Sequence, residues 1–314
     1  MTKTTSNMKI MKLFLACLLG ASLSACGESD LVDIHEEALD DAIAADVSLE
    51  PAAAQPDSET DPVLPSSIDI SEYDLVFSDE FNSLVLDDTK WGTSLWGQDT
   101  IIYNQLQYYV DTLNSEDPIA DPFSFDGQSL SISATMTPDE QRAAANEQTY
   151  LSGLLTTRDT FAFTYGYVEV RVNVEQGRGI WPSLWMLGSD FEELAPELYV
   201  FEYDGSKQDS VFHNYNYRDA DGNLRSPGQQ EVELSGLSEG FHTIGLRWRE
   251  SELLFYVDGQ PTYRIIGENV PSEDMYLILN LAMGGLWTGA PDATTPDPAS
   301  LEVDYIRVYQ ERSQ

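Results

Sequence analysis

The chain has 314 residues, with 54 Asp or Glu against 16 Lys or Arg and a formal net charge of −38 at pH 7. A field of that sign repels nucleic acid, anionic lipid and sulfated or uronic polymers, so a neutral partner is favoured and nucleic acid is excluded. The only cysteines are Cys17 and Cys26 and the only histidines His35, His213 and His242, which excludes Cys-ligated zinc, an internal disulfide in the exported chain and an HExxH metal pair.

In chain order, Lys3, Lys9 and Lys12 precede a short apolar stretch from Leu13 to Ala25. It is too short to span a bilayer as a helix and reads as a secretory signal. It ends in Leu23-Ser24-Ala25-Cys26, which resembles a bacterial lipobox, with Cys26 as the expected lipidated N-terminus. An ordinary signal peptide with an incidental cysteine is the alternative. With Gly27 and Glu28 rather than Asp behind the cysteine, the expectation is an exported bacterial lipoprotein. It would sit on the outer membrane or cell surface, held by acyl chains without spanning the bilayer. From Gly27 to Ile70 there are thirteen Asp or Glu and no Lys or Arg. Such a segment cannot bury enough apolar surface to fold, and a disordered acidic tether is predicted. The predicted organisation is therefore a signal over 1–26, a linker over 27–70 and one folded domain over 71–314.

Beyond Ser71, short alternating runs recur between turn signals: SLSISAT (129–135), GYVEVRVNV (166–174), FHTIGLRW (241–248), LLFYVDG (253–259), MYLILNLAM (275–283) and LEVDYIRVYQ (301–310). In GYVEVRVNV, Val168, Val170, Val172 and Val174 face one way while Glu169, Arg171 and Asn173 face the other. That is the period-2 pattern of a strand with one wet face. One short helix is predicted at Pro138–Asn146. Many strands around one core make an all-β sandwich, one sheet of which is open to a ligand.

The stretch PELYVFEYDG (196–205) places Glu197 and Glu202 in a strand rich in Leu, Tyr, Val and Phe. Carboxylates rarely sit on such a surface unless paired or put to use. On a regular strand residues i and i+5 point to opposite faces, so one bulge residue within Val200-Phe201 is needed to bring both acids to the same face. Their Cα atoms would then lie about 13 Å apart, a gap that two converging Glu side chains nearly close. Trp181 and Trp185 in RGIWPSLWMLG and Trp287 in NLAMGGLWTG lie in the same neighbourhoods. For any single Trp a core role is the default; three beside Trp-Pro or Gly-Gly point to a saccharide groove, because sugars stack their apolar ring faces on indoles. The bland alternative is a solvated edge strand with scattered acids.

NQLQYY (104–109), SGLLTT (152–157), FTYGYVEVRV (163–172), GIWPSLWMLG (179–188), YVDG (256–259), NLAMGG (280–285) and VDYIRVYQ (303–310) resemble, in order, the family-16 glycoside hydrolases of the laminarinase type. The resemblance implies a concanavalin-like β-jelly-roll with a concave substrate groove that cuts a neutral β-glucan, β-1,3-linked above all, with retention. It implies Glu197 as nucleophile and Glu202 as general acid/base. It makes Asn104, Arg178, Trp181, Trp185, Asn216 and Trp287 the substrate-binding candidates. The family signature has an Asp between the two glutamates where this chain has Tyr199, which shares a face with Glu197 and can donate a hydrogen bond to it. Gln105 and Asn216 also stand where the family commonly has Glu and His. No cofactor is expected for catalysis. The resemblance implies a structural Ca²⁺ on Glu80 and Asp304, with salt bridges as the other explanation of these acids. A monomer is expected. Two readings stay open: a surface-anchored endo-glycosidase, and a carbohydrate-binding lipoprotein on the same fold whose hydrolase site has decayed.

Overall fold

In the computed structural model the described residues are 68–95, 104–189 and 195–312. The predicted signal over 1–26 with Cys26, and the predicted linker as far as Ser67, lie outside them. In chain order the strands are β1 (Tyr73–Asp79), β2 (Gln107–Tyr109), β3 (Phe123–Phe125), β4 (Leu130–Met136), β5 (Tyr150–Ser152) and β6 (Leu154–Thr156). Then come β7 (Gly166–Val174), β8 (Ile180–Gly188), β9 (Glu197–Tyr203), β10 (Ser210–Arg218), β11 (Leu224–Arg225) and β12 (Gln230–Glu233). The last are β13 (His242–Arg249), β14 (Glu252–Val257), β15 (Gln260–Ile266), β16 (Met275–Met283) and β17 (Ala299–Glu311).

Two sheets result. One runs β15-β14-β13-β7-β17-β4-β5-β2, with β1 joined to β17 and β3 to β4. The other runs β11-β10-β9-β8-β16-β6, with β12 joined to β10. Neighbours in the first are far apart in sequence, such as β7 beside β13 and β17, as jelly-roll crossovers require. The expected sandwich is thus observed. Among the described residues no helix is long and apolar enough to cross a membrane.

The core lies between the sheets and follows the alternation. Val168, Val170 and Val172 of β7 and Ile244 and Leu246 of β13 meet Leu184 and Met186 of β8, Leu198 and Val200 of β9, and Leu277 and Leu279 of β16. Each such side chain removed from water stabilises the fold by roughly 1.5–3 kcal/mol before entropy is counted. Along β7 the polar members Glu169, Arg171 and Asn173 remain half-buried on the outer face. The helix expected at Pro138–Asn146 is instead one 3₁₀ turn, Asp139–Gln141, without a side-chain cap. Asn146 and Glu147 follow with φ of 50° and 60°, a left-handed conformation that ends any helix started at Pro138.

Candidate active site

Strand β9 creates the site by breaking its own alternation. Leu198, Val200, Phe201 and Tyr203 all belong to the core between the sheets. Glu197, Tyr199 and Glu202 lie on the opposite face, where Tyr199 and Glu202 help to line a cleft. Two consecutive residues, Val200 and Phe201, therefore point inward, and the pairing shows why. Ser183 of β8 pairs with Glu202 and Leu184 with Phe201, but Trp185 pairs with Tyr199, so Val200 has no counterpart. The same extra residue appears against β10, where Phe212 pairs with Glu202 and Asn214 with Tyr199. A bulge adds one residue to a strand and reverses the facing of everything after it. Here it turns an i, i+5 pair onto one surface.

The two carboxylates are nearly closed off from water, Glu197 at 5% and Glu202 at 3% exposure. Tyr199 donates its hydroxyl to Glu197 Oε2 at 3.1 Å, the bond that the shared face of the two residues suggests. Asn216 Nδ2 donates to the same oxygen at 2.9 Å. On Glu202, Trp181 Nε1 donates to Oε1 and Gln229 Nε2 to Oε2, both at 3.1 Å. Burial pushes the Glu202 carboxyl up to about 7; the donors Gln229 and Trp181 oppose that shift, and the charge of Glu197 adds to it. At neutral pH Glu202 is poised between its two protonation states, as a proton donor that must later accept requires.

Beside Glu202 and Tyr199 the cleft has a volume of about 380 Å³, including space open to solvent, and its walls include Gln105, Tyr109, Leu154, Trp185 and Asn280. Trp185 stacks on Tyr199 with centroids 5.6 Å apart and planes 7° apart. Its Nε1 donates to Asn280 Oδ1 at 2.8 Å, and Asn280 Nδ2 donates to the Tyr109 hydroxyl at 2.9 Å. Gln105 accepts from Gln107 Nε2 at 2.8 Å, and Gln107 in turn accepts from the Met283 amide. The floor is thus hydrogen-bonded from one strand to the next, which fixes rotamers before any ligand arrives.

Of the sequence candidates, Glu197, Tyr199, Glu202, Trp181, Trp185 and Asn216 come together. Trp287 borders them, half-buried on the one-turn helix Gly285–Thr288 and edge-on to Trp181 (5.1 Å) and Phe212 (5.0 Å). The turn that presents it needs Gly284, whose φ is +69° and whose added Cβ would lie 2.6 Å from Leu106. Asn104 and Arg178 are exposed; Asn104 adjoins Gln105 in the chain, and the Arg178 guanidinium lies close over Gly289. Gln229 and Asn280 were missed. Gln229 sits in a loop with no periodic signal, whereas Asn280 lay within NLAMGG and, as a polar residue in an apolar strand, could have been flagged.

Glu80 and Asp304, the acids expected at a Ca²⁺ site, are ion-paired in this structure. Glu80 takes Arg307 through both oxygens, at 2.9 and 2.6 Å, and Asp304 is ion-paired with Arg171. Each carboxylate is thus engaged by a guanidinium, the salt-bridge alternative. Among the described residues no group of three or more His, Cys, Asp or Glu is placed to hold a metal.

Residues 94–307 match the family model for glycosyl hydrolases family 16. The chain is 32% identical over 251 residues to an endo-1,3-1,4-beta-glycanase of Rhizobium meliloti, covering 77% of this chain and 53% of that protein. It therefore spans about half the length of that relative. A beta-glucanase of Rhodothermus marinus is 30% identical, with 76% of this chain and 85% of the relative covered. The fold superposes on the laminarinase catalytic domain of Thermotoga maritima with a TM-score of 0.63 at 28% identity, over 77% of this chain and all of that one. With the fold, the paired carboxylates and these likenesses together, the chain belongs to glycosyl hydrolases family 16.

Proposed function

We propose that the protein is a retaining, endo-acting glycoside hydrolase of a neutral β-glucan, β-1,3-linked in the first instance, carried on the cell surface by a lipid on Cys26. One observation supports this reading above the rest. The bulge at Val200 turns two buried glutamates onto one face, one held by neutral donors and the other with its carboxyl raised to about 7. Retention needs such a pair, one ionised to attack and one protonated to serve the leaving oxygen. Glu197 would attack the anomeric carbon while Glu202 gives its proton to the glycosidic oxygen, releasing the aglycone with a free hydroxyl. Ionised Glu202 would then take a proton from water, whose oxygen displaces Glu197 from the sugar and returns both groups to their starting states. Trp287, half-buried and edge-on to the buried Trp181 of the cleft wall, offers indole surface to a pyranose face.

The binding-protein reading has its own observation. Tyr199 and Asn216, both neutral, hold the nucleophile where the family signature supplies an Asp and commonly a His. Incubation of the full-length protein with a panel of β-glucans and galactans, following both affinity and reducing ends, separates the two. New reducing ends of retained anomeric configuration support the hydrolase; saturable binding with no product supports the binder. For the anchor, Cys26→Ser is expected to shift the protein from the detergent phase to the aqueous phase. A native N-terminus found by mass spectrometry to start elsewhere and carry no lipid removes the anchor.

A further inference from the structure

The buried imidazole of His213 has no part in the chemistry above, yet it lies directly behind the catalytic strand. His213 is fully buried in β10. It stands where the pairing skips: Phe212 meets Glu202, Asn214 meets Tyr199, and Val200 and Phe201 together oppose the one residue between. A bulge of this kind disrupts the ladder and leaves backbone groups in need of another partner. His213 Nδ1 lies 2.7 Å from the carbonyl oxygen of Val200, the extra residue itself. Its Nε2 is 3.2 Å from Thr262 Oγ1 on β15, and its ring stacks on Phe255 of β14 at 4.6 Å. Both of those contacts belong to the opposite sheet.

We infer that His213 is a positioning residue which clamps the Val200 bulge, ties it to the opposite sheet, and so sets the relative placement of Glu197 and Glu202. This rests on the reading of those glutamates as the catalytic pair. A carbonyl can only accept, so Nδ1 must carry the proton; Nε2 is then the acceptor for the Thr262 hydroxyl. Burial lowers the imidazole to about 4, so the ring stays neutral and this tautomer persists across the working range. A neutral ring suits the position, since a charge behind the site would change the field on both carboxylates. The clamp acts on geometry alone: without it the strand can relax toward regular pairing, which turns Glu202 away from Glu197. Displacements of about 1 Å in a catalytic pair can cost on the order of a hundred-fold in rate.

The test compares His213→Asn with His213→Gln in the full-length protein. The amide nitrogen of Asn sits as far along the side chain as Nδ1; that of Gln sits one bond further out, as Nε2 does. The inference expects Asn to keep kcat on β-glucan within about threefold and Gln to lose about ten-fold or more, with KM within about twofold in both. A purely structural histidine would lower the melting temperature without this order. The wild-type ring should show a protonated Nδ1 and bare Nε2 by ¹⁵N NMR from pH 5 upward, which needs no turnover. Equal kcat for the two variants, Gln better than Asn, or a ring protonated on Nε2 overturns the clamp. If the wild type releases no reducing ends, the hydrolase reading fails on its own. The clamp is then decided by the ring tautomer and by faster amide exchange at Val200 and Phe201 in Gln than in Asn.

Discussion

Three ion-paired carboxylates at one sheet and the two cleft glutamates of the other live in opposite surroundings. On and beside the ten-stranded sheet three carboxylates have guanidinium partners: Arg307 on Glu80, Arg171 on Asp304, and Arg247 and Arg264 on Glu252 at 2.6 Å each. At the two cleft glutamates of the seven-stranded sheet the donors are neutral: Tyr199 and Asn216 on Glu197, Trp181 and Gln229 on Glu202. The hydrogen bonds of Arg307 hold Glu80 below the ordinary carboxylate range. Burial raises Glu252, but the hydrogen bonds and charges of Arg247 and Arg264 outweigh it and the net shift is downward. At Glu202 burial wins and the group reaches about 7. The signs of the stability linkage follow. Glu80 and Glu252 stabilise the fold above the unfolded value of 4.5, and that contribution is lost as pH falls through their lower folded values. Glu202 favours the folded state most below 4.5, and its contribution is lost as pH rises through about 7. A fixed positive partner makes a carboxylate a structural fastening; neutral donors and burial leave it able to exchange a proton.

The comparison breaks first at Glu197, the proposed nucleophile. Glu197→Gln should abolish reducing-end release while glucan affinity persists, because the lost interaction belongs to the transition state. Glu252→Gln should do the reverse, lowering the melting temperature by disturbing a mostly buried ion pair while kcat holds. Loss of turnover in the second variant, or its survival in the first, would erase the division between the sheets.

A smaller effect is expected at Tyr199. Tyr199→Phe keeps the stack on Trp185 and removes only the hydroxyl that donates to Glu197. A hydrogen bond to a charged group is worth about 1.5–3 kcal/mol, or roughly ten- to a hundred-fold in rate if all of it acts in the transition state. Measured kcat equal to that of an active wild type would show that this hydroxyl does not orient the nucleophile.

The smallest effect concerns proton affinity. The rate should fall as pH rises through about 7, where Glu202 loses the proton it must donate. Gln229 favours the ionised form, so Gln229→Leu should move that alkaline limb upward by roughly half a pH unit, a modest shift because the bond is only part-buried. A limb that stays in place, or moves down, contradicts the role given to this amide.

The strand content was readable because alternation encodes facing: the valines of GYVEVRVNV are buried and their polar neighbours half-exposed, as the period requires. The bulge was readable for a chemical reason, since two acids five apart can share a face only if the strand gains a residue. Tyr199 reaching Glu197 followed from the period as well. Salt bridges on Glu80 and Asp304 were an open alternative, but not which arginines make them, because cross-strand partners come from segments more than a hundred residues away. His213 and Gln229 were illegible for related reasons. One meets the opposite sheet through the core and the other reaches the site from a loop, and neither relation leaves a local pattern.

The extra residue in β9 also sets which genetic changes the site can survive. Replacing Val200 by another apolar residue keeps the count of residues and therefore the facing of Glu202. Deleting its codon keeps every chemical group of the catalytic pair, yet it restores regular alternation between Tyr199 and Glu202. Either Glu202 and the rest of the strand turn inward, or Glu197 and Tyr199 do. An insertion between Tyr199 and Glu202 has the same parity and the same outcome. Variation in this stretch is therefore confined to substitution at constant length, and closely related functional chains should differ here in letters, never in spacing.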